Sequence, residues 1–167
     1  DNNVMVTWSE CGIETIDDAR ETEIAVGATG GSTSSQYPTI MNELLGTKFN
    51  ILTGYPGGSE ILLAMENGEV CGRGSWNWVG VKSGRPDWIE DGKINVLVQI
   101  GLKPDAELAD VPLLMDLAEN EPDQRMLRLL SSPTAVGRPV ITTPDVPEDR
   151  VEALRTAFEA MVADPAF

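Results

Sequence analysis

A loop of glycine, serine and threonine near the start of the chain has the residue types of an anion-binding site. Within AVGATGGSTSSQYP (residues 25–38), an apolar run leads into a loop without charged side chains, and a helical pattern follows. Helix N-termini present unpaired N–H groups and a partial positive charge, so they bind anions without lysine or arginine. The candidate ligand-binding residues in this loop are Thr29, Gly30, Gly31, Ser32, Thr33 and Ser34.

A second glycine-rich turn follows the next predicted strand, with candidate residues Tyr55, Pro56, Gly57 and Gly58. Ligands of open α/β sheets bind outside the carboxyl ends of the strands, so we expect both turns at one sheet edge. Desolvating a carboxylate costs several kcal/mol, and each hydrogen bond to a charged group returns about 1.5–3 kcal/mol. About three or four convergent donors are therefore needed. The sequence leaves one alternative open, that the glycines only permit tight turns while Ser34 or Ser35 caps a helix.

Other candidate residues have weaker support. Ser75 and Trp76, in the segment GSWNW, are expected to line a pocket, although aromatic residues in such segments more often serve packing. Arg73 could face an anionic ligand, but an ordinary surface position is the default expectation for an arginine. Gly31 is expected to let the backbone approach a ligand, in a conformation that a branched side chain resists.

Composition excludes several functional classes. The net charge of −15 argues against a nucleic-acid partner, because phosphate binding needs clustered lysine and arginine. The chain has no histidine, which removes the commonest general base and zinc ligand, and with them any Ser-His-Asp or Cys-His arrangement within this chain. The glycine-rich loop matches neither the P-loop nor the dinucleotide fingerprint. We therefore expect no metal, no cofactor and no catalysis.

The two cysteines, Cys11 and Cys71, lie far apart and form no CxxC pair. A thioredoxin-like or cysteine-rich zinc site is therefore excluded. Sequence alone does not establish the geometry that a disulfide needs, so two thiols are favoured over one bridge.

Strand and helix signals alternate along the chain, which predicts an α/β domain with a largely parallel sheet flanked by helices. The predicted strands are Asn3–Trp8, Glu23–Gly27, Phe49–Thr53, Glu69–Arg73, Ile94–Ile100 and Pro139–Thr143. Predicted helices begin with a capping box at Thr15–Asp18, end at Gly46 and Gly68, and cover Pro86–Gly92, Leu113–Glu119 and Asp123–Leu130. A final helix begins near Pro147, with an inner face of Val151, Leu154, Phe158, Met161 and Val162.

Five segments in order resemble the Bug-type (TctC) substrate-binding receptors of tripartite tricarboxylate transporters. They are AVGATGGSTSSQYP, NILTGYPGGSEILLAMENGEVCGRGSW, RPDWIEDGKINVLVQIGL, DVPLLMDLA and RPVITTPDVPEDRVEALRTAFEAMVADPAF. The resemblance implies a type II periplasmic-binding fold, and a periplasmic receptor that closes on a small organic acid and delivers it to a membrane permease. It places ligand-binding residues at Thr29–Ser34, at Tyr55–Gly58 and near Ser75 and Trp76, where the aspartate often found in the family is absent.

The same resemblance implies that the chain is a fragment. The family's first strand and its apolar-Pro-Ala-Gly-Gly loop have no counterpart here. Residues 1–130 then correspond to the second, ligand-binding lobe with its crossover strand, and residues 131–167 to a segment returning to the first lobe. The receptor is expected to be monomeric. Two alternatives stay open: an α/β enzyme acting on a small phosphorylated or carboxylated substrate, and the ligand-sensing domain of a regulator.

Overall fold

Five strands form one sheet in the order β3-β2-β4-β1-β5. The computed structural model describes residues 1–137 and 139–166. The strands are β1 (Asn3–Trp8), β2 (Ile24–Ala28), β3 (Phe49–Thr53), β4 (Gly72–Asn77) and β5 (Ile94–Ile100). β2 is parallel to β3 and to β4, whereas β1 is antiparallel to β4 and to β5. The predicted α/β class is confirmed, but the sheet is mixed where a largely parallel one was expected.

Eight α-helices accompany the sheet in the described residues. They are α1 (Ile16–Glu21), α2 (Thr33–Leu45), α3 (Gly58–Glu66), α4 (Trp78–Gly84), α5 (Pro86–Glu90), α6 (Glu121–Ser131), α7 (Pro133–Val136) and α8 (Glu148–Val162). Short 3-10 helices cover Ser9–Cys11, Ala106–Leu108 and Leu114–Leu117.

The sheet separates two apolar clusters. Alternate residues of a strand face opposite sides of a sheet, and in β1 Met5 belongs to one cluster while Val4 and Val6 belong to the other. The first cluster contains Tyr37 and Met41 of α2, and the second contains four residues of α3. Helices α2 and α3 therefore pack on opposite faces of the sheet.

Local signals set several helix ends. The Thr15 hydroxyl accepts from the Asp18 N–H, and the Asp18 carboxylate accepts from the Thr15 N–H at 2.8 Å, which confirms the predicted capping box. α2 ends at Gly46, which adopts the left-handed conformation that glycine tolerates. α2 begins at Thr33, however, well before the predicted TIMNELLG pattern, and it contains Pro38.

Three predicted elements differ from the structure. The strand predicted at Glu69–Arg73 is displaced to Gly72–Asn77, and the helix predicted from Leu113 is a single 3-10 turn. The late strand predicted at Pro139–Thr143 is wrong, because these residues are irregular and exposed. A β-strand is stable only when a neighbouring strand takes up its hydrogen bonds, and 139–143 pair with no described strand.

Cys11 and Cys71 form a disulfide, with Cα atoms 5.9 Å apart. The expectation of two thiols is therefore wrong. The Trp8 N–H donates to the Cys71 carbonyl at 2.7 Å, and the Cys71 N–H donates to the Ala25 carbonyl at 2.7 Å. Cys71 is thus fixed between two strands and lies beside the 3-10 turn that follows β1, a proximity that no local sequence pattern encodes.

The chain divides into two compact units, residues 1–137 and 138–167. Helix α8 belongs to the second unit, and the inner face predicted for it is exposed there: Leu154, Phe158, Met161 and Val162 are 40–56% accessible. A helix face is buried only against a facing element. Leu154, Phe158 and Met161 of this face line an open groove together with Val140, Ile141 and Thr142 of the same unit. Arg138 and Phe167, the ends of the last family-like segment, lie outside the described residues. The boundary predicted after residue 130 stays a prediction.

Candidate ligand-binding site

Two of the predicted loops start at one edge of the sheet. β2 and β3 are parallel with Ala28 opposite Thr53, so the chain leaves both strands at the same end. β4 runs in the same direction, with Arg73 opposite Gly27. The carboxyl ends of three strands therefore meet at one edge, which is the usual ligand site of an open α/β sheet.

The hydroxyl groups of the serine loop, residues 29–34, bind mainly one another. The Thr29 and Ser32 hydroxyl oxygens are 2.7 Å apart, those of Ser32 and Ser34 are 2.8 Å apart, and the Thr29 N–H donates to the Ser34 hydroxyl at 3.0 Å. Ser32, not Ser34 or Ser35, is the N-cap of α2, and it accepts from the Ser34 N–H. These hydroxyls fix the shape of the loop, and one of them caps the helix. A helix-capping serine is what the alternative interpretation of the loop, a turn and a cap, predicts.

The backbone of the same loop remains available to a ligand. In the part of the chain that the structure describes, the N–H groups of Gly30, Gly31 and Thr33 donate to no protein atom. All three residues are exposed; the two glycines precede a helix of 13 residues, and Thr33 is its first residue. Unpaired N–H groups at this position are anion donors.

The expected backbone restriction at Gly31 is wrong. Neither Gly30 nor Gly31 has a positive φ, and a Cβ placed on either residue meets no atom within 4 Å. A side chain at Gly31 would therefore extend into solvent without straining the loop. Only a molecule bound against the loop would be disturbed by it.

The second turn packs against β2 through a glycine of that strand. A Cβ on Gly27 would lie 2.7 Å from Ile61 and 3.4 Å from the Tyr55 ring. Gly57 is the N-cap of α3, and Gly58 is its first residue. Glycine at position 27 thus permits the close approach that fixes this turn beside the strand.

Ser75 and Trp76, which were predicted to line a pocket, are mostly buried. Ser75 is 5% and Trp76 is 9% accessible, and the Trp76 ring lies edge-on to Trp88 at 6.2 Å. Just before them, a Cβ on Gly74 would overlap the Ser34 backbone oxygen. Trp76 also lines a cavity with Gly58 and Arg73, which the serine loop does not line.

Arg73 is less exposed than the default expectation of a surface arginine. Its side chain is half-buried, and burial lowers the pKa of its guanidinium below the ordinary arginine value. A lone arginine between two glycines gives no pattern from which burial can be predicted. Arg73 is half-buried because it lies on an internal strand, beside Gly27, and that position is set by the tertiary structure.

Within the described residues, no group of three or more His, Cys, Asp or Glu side chains has the arrangement of a metal site. Nor is any described helix both long and apolar enough to cross a membrane.

The sequence matches no protein-family model and no curated protein. Solved structures match its fold. Rpa4515 of R. palustris, determined with adipate, gives a TM-score of 0.65 at 17% identity, over 99% of this chain and 52% of that one. MatC from Rhodopseudomonas palustris, with bound malate, gives 0.56 at 17% identity, over 82% and 52%. A TctC solute binding protein from Polaromonas gives 0.55 at 15% identity, over 83% and 53%.

These similarities confirm the predicted type II periplasmic-binding fold, the fold of TctC proteins. One of these structures is a TctC solute binding protein, and the other two hold adipate and malate. The chain spans about half the length of each of them, 52%, 53% and 52% in the three cases.

Proposed function

We propose that the chain is the ligand-binding lobe of an extracytoplasmic receptor for a small organic acid. In this proposal the serine loop binds a ligand carboxylate, and the complete receptor delivers the acid to a membrane permease. The observation that carries the proposal is that the exposed N–H groups of Gly30 and Gly31, at the N-terminus of α2, have no acceptor among the described residues.

Energetics support backbone groups as the main donors. The α2 terminus carries a partial positive charge equivalent to about half an elementary charge. Each N–H that donates to a carboxylate adds about 1.5–3 kcal/mol. The loop hydroxyls already hold one another, so their main contribution is to keep the N–H groups in position.

The fold similarity supports the ligand class. Two structures of this fold contain adipate and malate, both small carboxylates. Because this chain corresponds to about half of each, a full clamp around the ligand would need a second lobe. The proposed receptor is not an enzyme, and we expect no hydrolysis of esters or phosphate esters.

The disulfide supports an extracytoplasmic location, and we propose the periplasm. Structural disulfides persist in oxidising compartments and are rare in the cytosol of most organisms. The Cys11–Cys71 bridge joins the turn after β1 to the start of β4.

A pair of variants tests the proposal by calorimetric titration with malate and adipate. Gly31→Val should weaken binding about tenfold or more, because its side chain occupies the space in front of the loop. Its melting temperature should match that of the parent protein, because the position is open and unstrained. Ser32→Ala should reduce binding less, but it should lower stability by about 1 kcal/mol through loss of the helix cap.

The outcomes separate the two interpretations of the loop. If Gly31→Val binds like the parent, the loop is only a turn and a helix cap, and the proposal is wrong. If Ser32→Ala alone is harmful while its fold is intact by circular dichroism, hydroxyl contacts dominate instead of N–H groups. Native mass spectrometry of freshly purified protein would identify a co-purified acid directly.

A further inference from the structure

The cavity that Trp76 lines with Gly58 and Arg73 lies on the α3 face of the sheet, away from α2 and the serine loop. Its volume is about 350 Å³, and it is lined by residues of α3, β4 and α4, with Arg85 at the end of α4. Gly58, Ser59, Arg73 and Trp76 are among the lining residues. Among the described residues, no aspartate or glutamate lines it.

Arg73 brings an uncompensated positive charge to the cavity. In the described residues its guanidinium makes no ion pair within 4 Å, and its Nε is buried without a hydrogen-bond partner. Its guanidinium carbon lies 5.1 Å from the centre of the Trp76 ring. A buried, unsatisfied charged donor is costly, so its position calls for an acceptor.

The N-terminus of α3, which lies beside Arg73, also carries a partial positive charge. The Arg73 nitrogens would lie 2.7 and 2.8 Å from a Cβ on Gly58, the first residue of α3. The guanidinium therefore lies at the positive end of a nine-residue helix, where a cation is unfavourable. An anion that contacts the guanidinium beside this helix end would stabilise both positive charges.

The two carboxylates near the cavity form no ion pair with Arg73 within 4 Å. Glu60 is exposed in the first turn of α3, and its oxygen would lie 3.0 Å from a Cβ on Gly57. Glu66 pairs loosely with the second cavity arginine, Arg85, at 3.9 Å. The Arg85 Nε is also buried without a hydrogen-bond partner.

We infer that this cavity is a binding site for the carboxylate group of a small organic anion, with Arg73 as its principal ligand. Arg85 and the first turn of α3 add positive potential, and Trp76 and Leu62 supply an apolar wall. The inference goes beyond the proposed function, because the cavity is lined by residues of α3, β4 and α4 and by Arg85, and by no residue of the serine loop. A carboxylate fits the planar, bidentate donor geometry of a guanidinium.

Nitrogen–proton NMR of the whole chain tests the inference with acetate as the probe. Acetate replaces chloride at constant ionic strength, so general screening stays constant. The Arg73 Nε–H signal is assigned by its loss in Arg73→Met. Expected is a saturable shift of the Arg73 and Arg85 signals, with only a weak linear drift at Arg125, an exposed arginine of α6.

The variant then identifies the ligand-binding group. In Arg73→Met the acetate affinity read from the Ser59 amide should fall about tenfold or more, whereas Arg125→Gln should leave it unchanged. Saturation at the Ser59 amide that survives Arg73→Met would overturn the assignment. The unmutated protein also provides a test that does not depend on whether the variant folds. If its Arg73 Nε–H signal drifts linearly with acetate, as the Arg125 signal does, the assignment is wrong.

The same spectra separate this inference from the proposed function. The amides of Gly30 and Gly31 report on the serine loop, and the Arg73 Nε–H reports on the cavity. Saturation at the glycines without saturation at Arg73 refutes the cavity site and leaves the proposed function. The reverse result supports the cavity and removes the support for the serine loop.

Discussion

Removing the Cys11–Cys71 disulfide should lower stability more than most single core substitutions. The bridge closes a loop with a sequence separation of 60. The chain-entropy relation gives about 4 kcal/mol at 25 °C for a closed loop of about 60 residues. The effect acts on the unfolded chain, which gains freedom when the bridge is absent, so the folded topology should be unchanged.

Urea unfolding measures this difference. With a slope of about 2 kcal/mol per molar urea, the midpoint should fall by about 2 M in the Cys11→Ser/Cys71→Ser protein. The parent protein treated with reductant serves as the matched control, because it loses the same bridge without a substitution. A midpoint shift below about 0.5 M in both samples would refute the reasoning. Agreement of the far-ultraviolet circular dichroism spectra would show that the folded states are alike.

Three further predictions concern the scaffold. Leu127→Ala should lower the free energy of unfolding by about 2–5 kcal/mol, because Leu127 is 0% accessible, whereas Leu129→Ala, at 71% accessible, should stay within about 0.5 kcal/mol in the same urea titration. Gly74→Ala should cost about 1–3 kcal/mol by thermal unfolding, because its Cβ overlaps the backbone of α2, and an unchanged melting temperature would contradict that packing. Hydrogen bonds to its carboxylate, the strongest from the Thr15 hydroxyl, lower the pKa of Asp18. The stabilising contribution of Asp18 is therefore present above the unfolded-state pKa of about 3.9 and is lost as the pH falls through the lower folded-state pKa. The loss of stability caused by Asp18→Asn should therefore shrink in acid. A loss that stays constant with pH would contradict the assignment.

The candidate site was predictable where the chemistry is local. A strand followed by glycines, serines and a helix marks unpaired N–H groups at a helix N-terminus, and the structure places Gly30 and Gly31 there. The role of each hydroxyl was not predictable, since Ser32 and Ser34 could equally have faced a ligand or each other. Their mutual hydrogen bonds depend on the folded shape of the loop.

Strong apolar runs fixed three strands within their predicted bounds: Asn3–Trp8, Phe49–Thr53 and Ile94–Ile100. Capping residues and terminal glycines likewise predicted some helix ends, such as the capping box before α1 and the end of α2 at Gly46, whereas α4 and α7 were not predicted. These signals are local, because they depend on residues within one or two turns of each other.

Only the tertiary structure decided the features that join distant residues. The β4 strand carries glycines and Arg73 instead of an apolar pattern, and it is a strand because β1 and β2 hydrogen-bond to it from both sides. The disulfide depends on the approach of Cys11 and Cys71 across that pairing. The surroundings of Arg73 depend on which side chains the fold brings to its cavity. Burial and ion pairing are properties of the assembled sheet, and no short stretch of the chain specifies them.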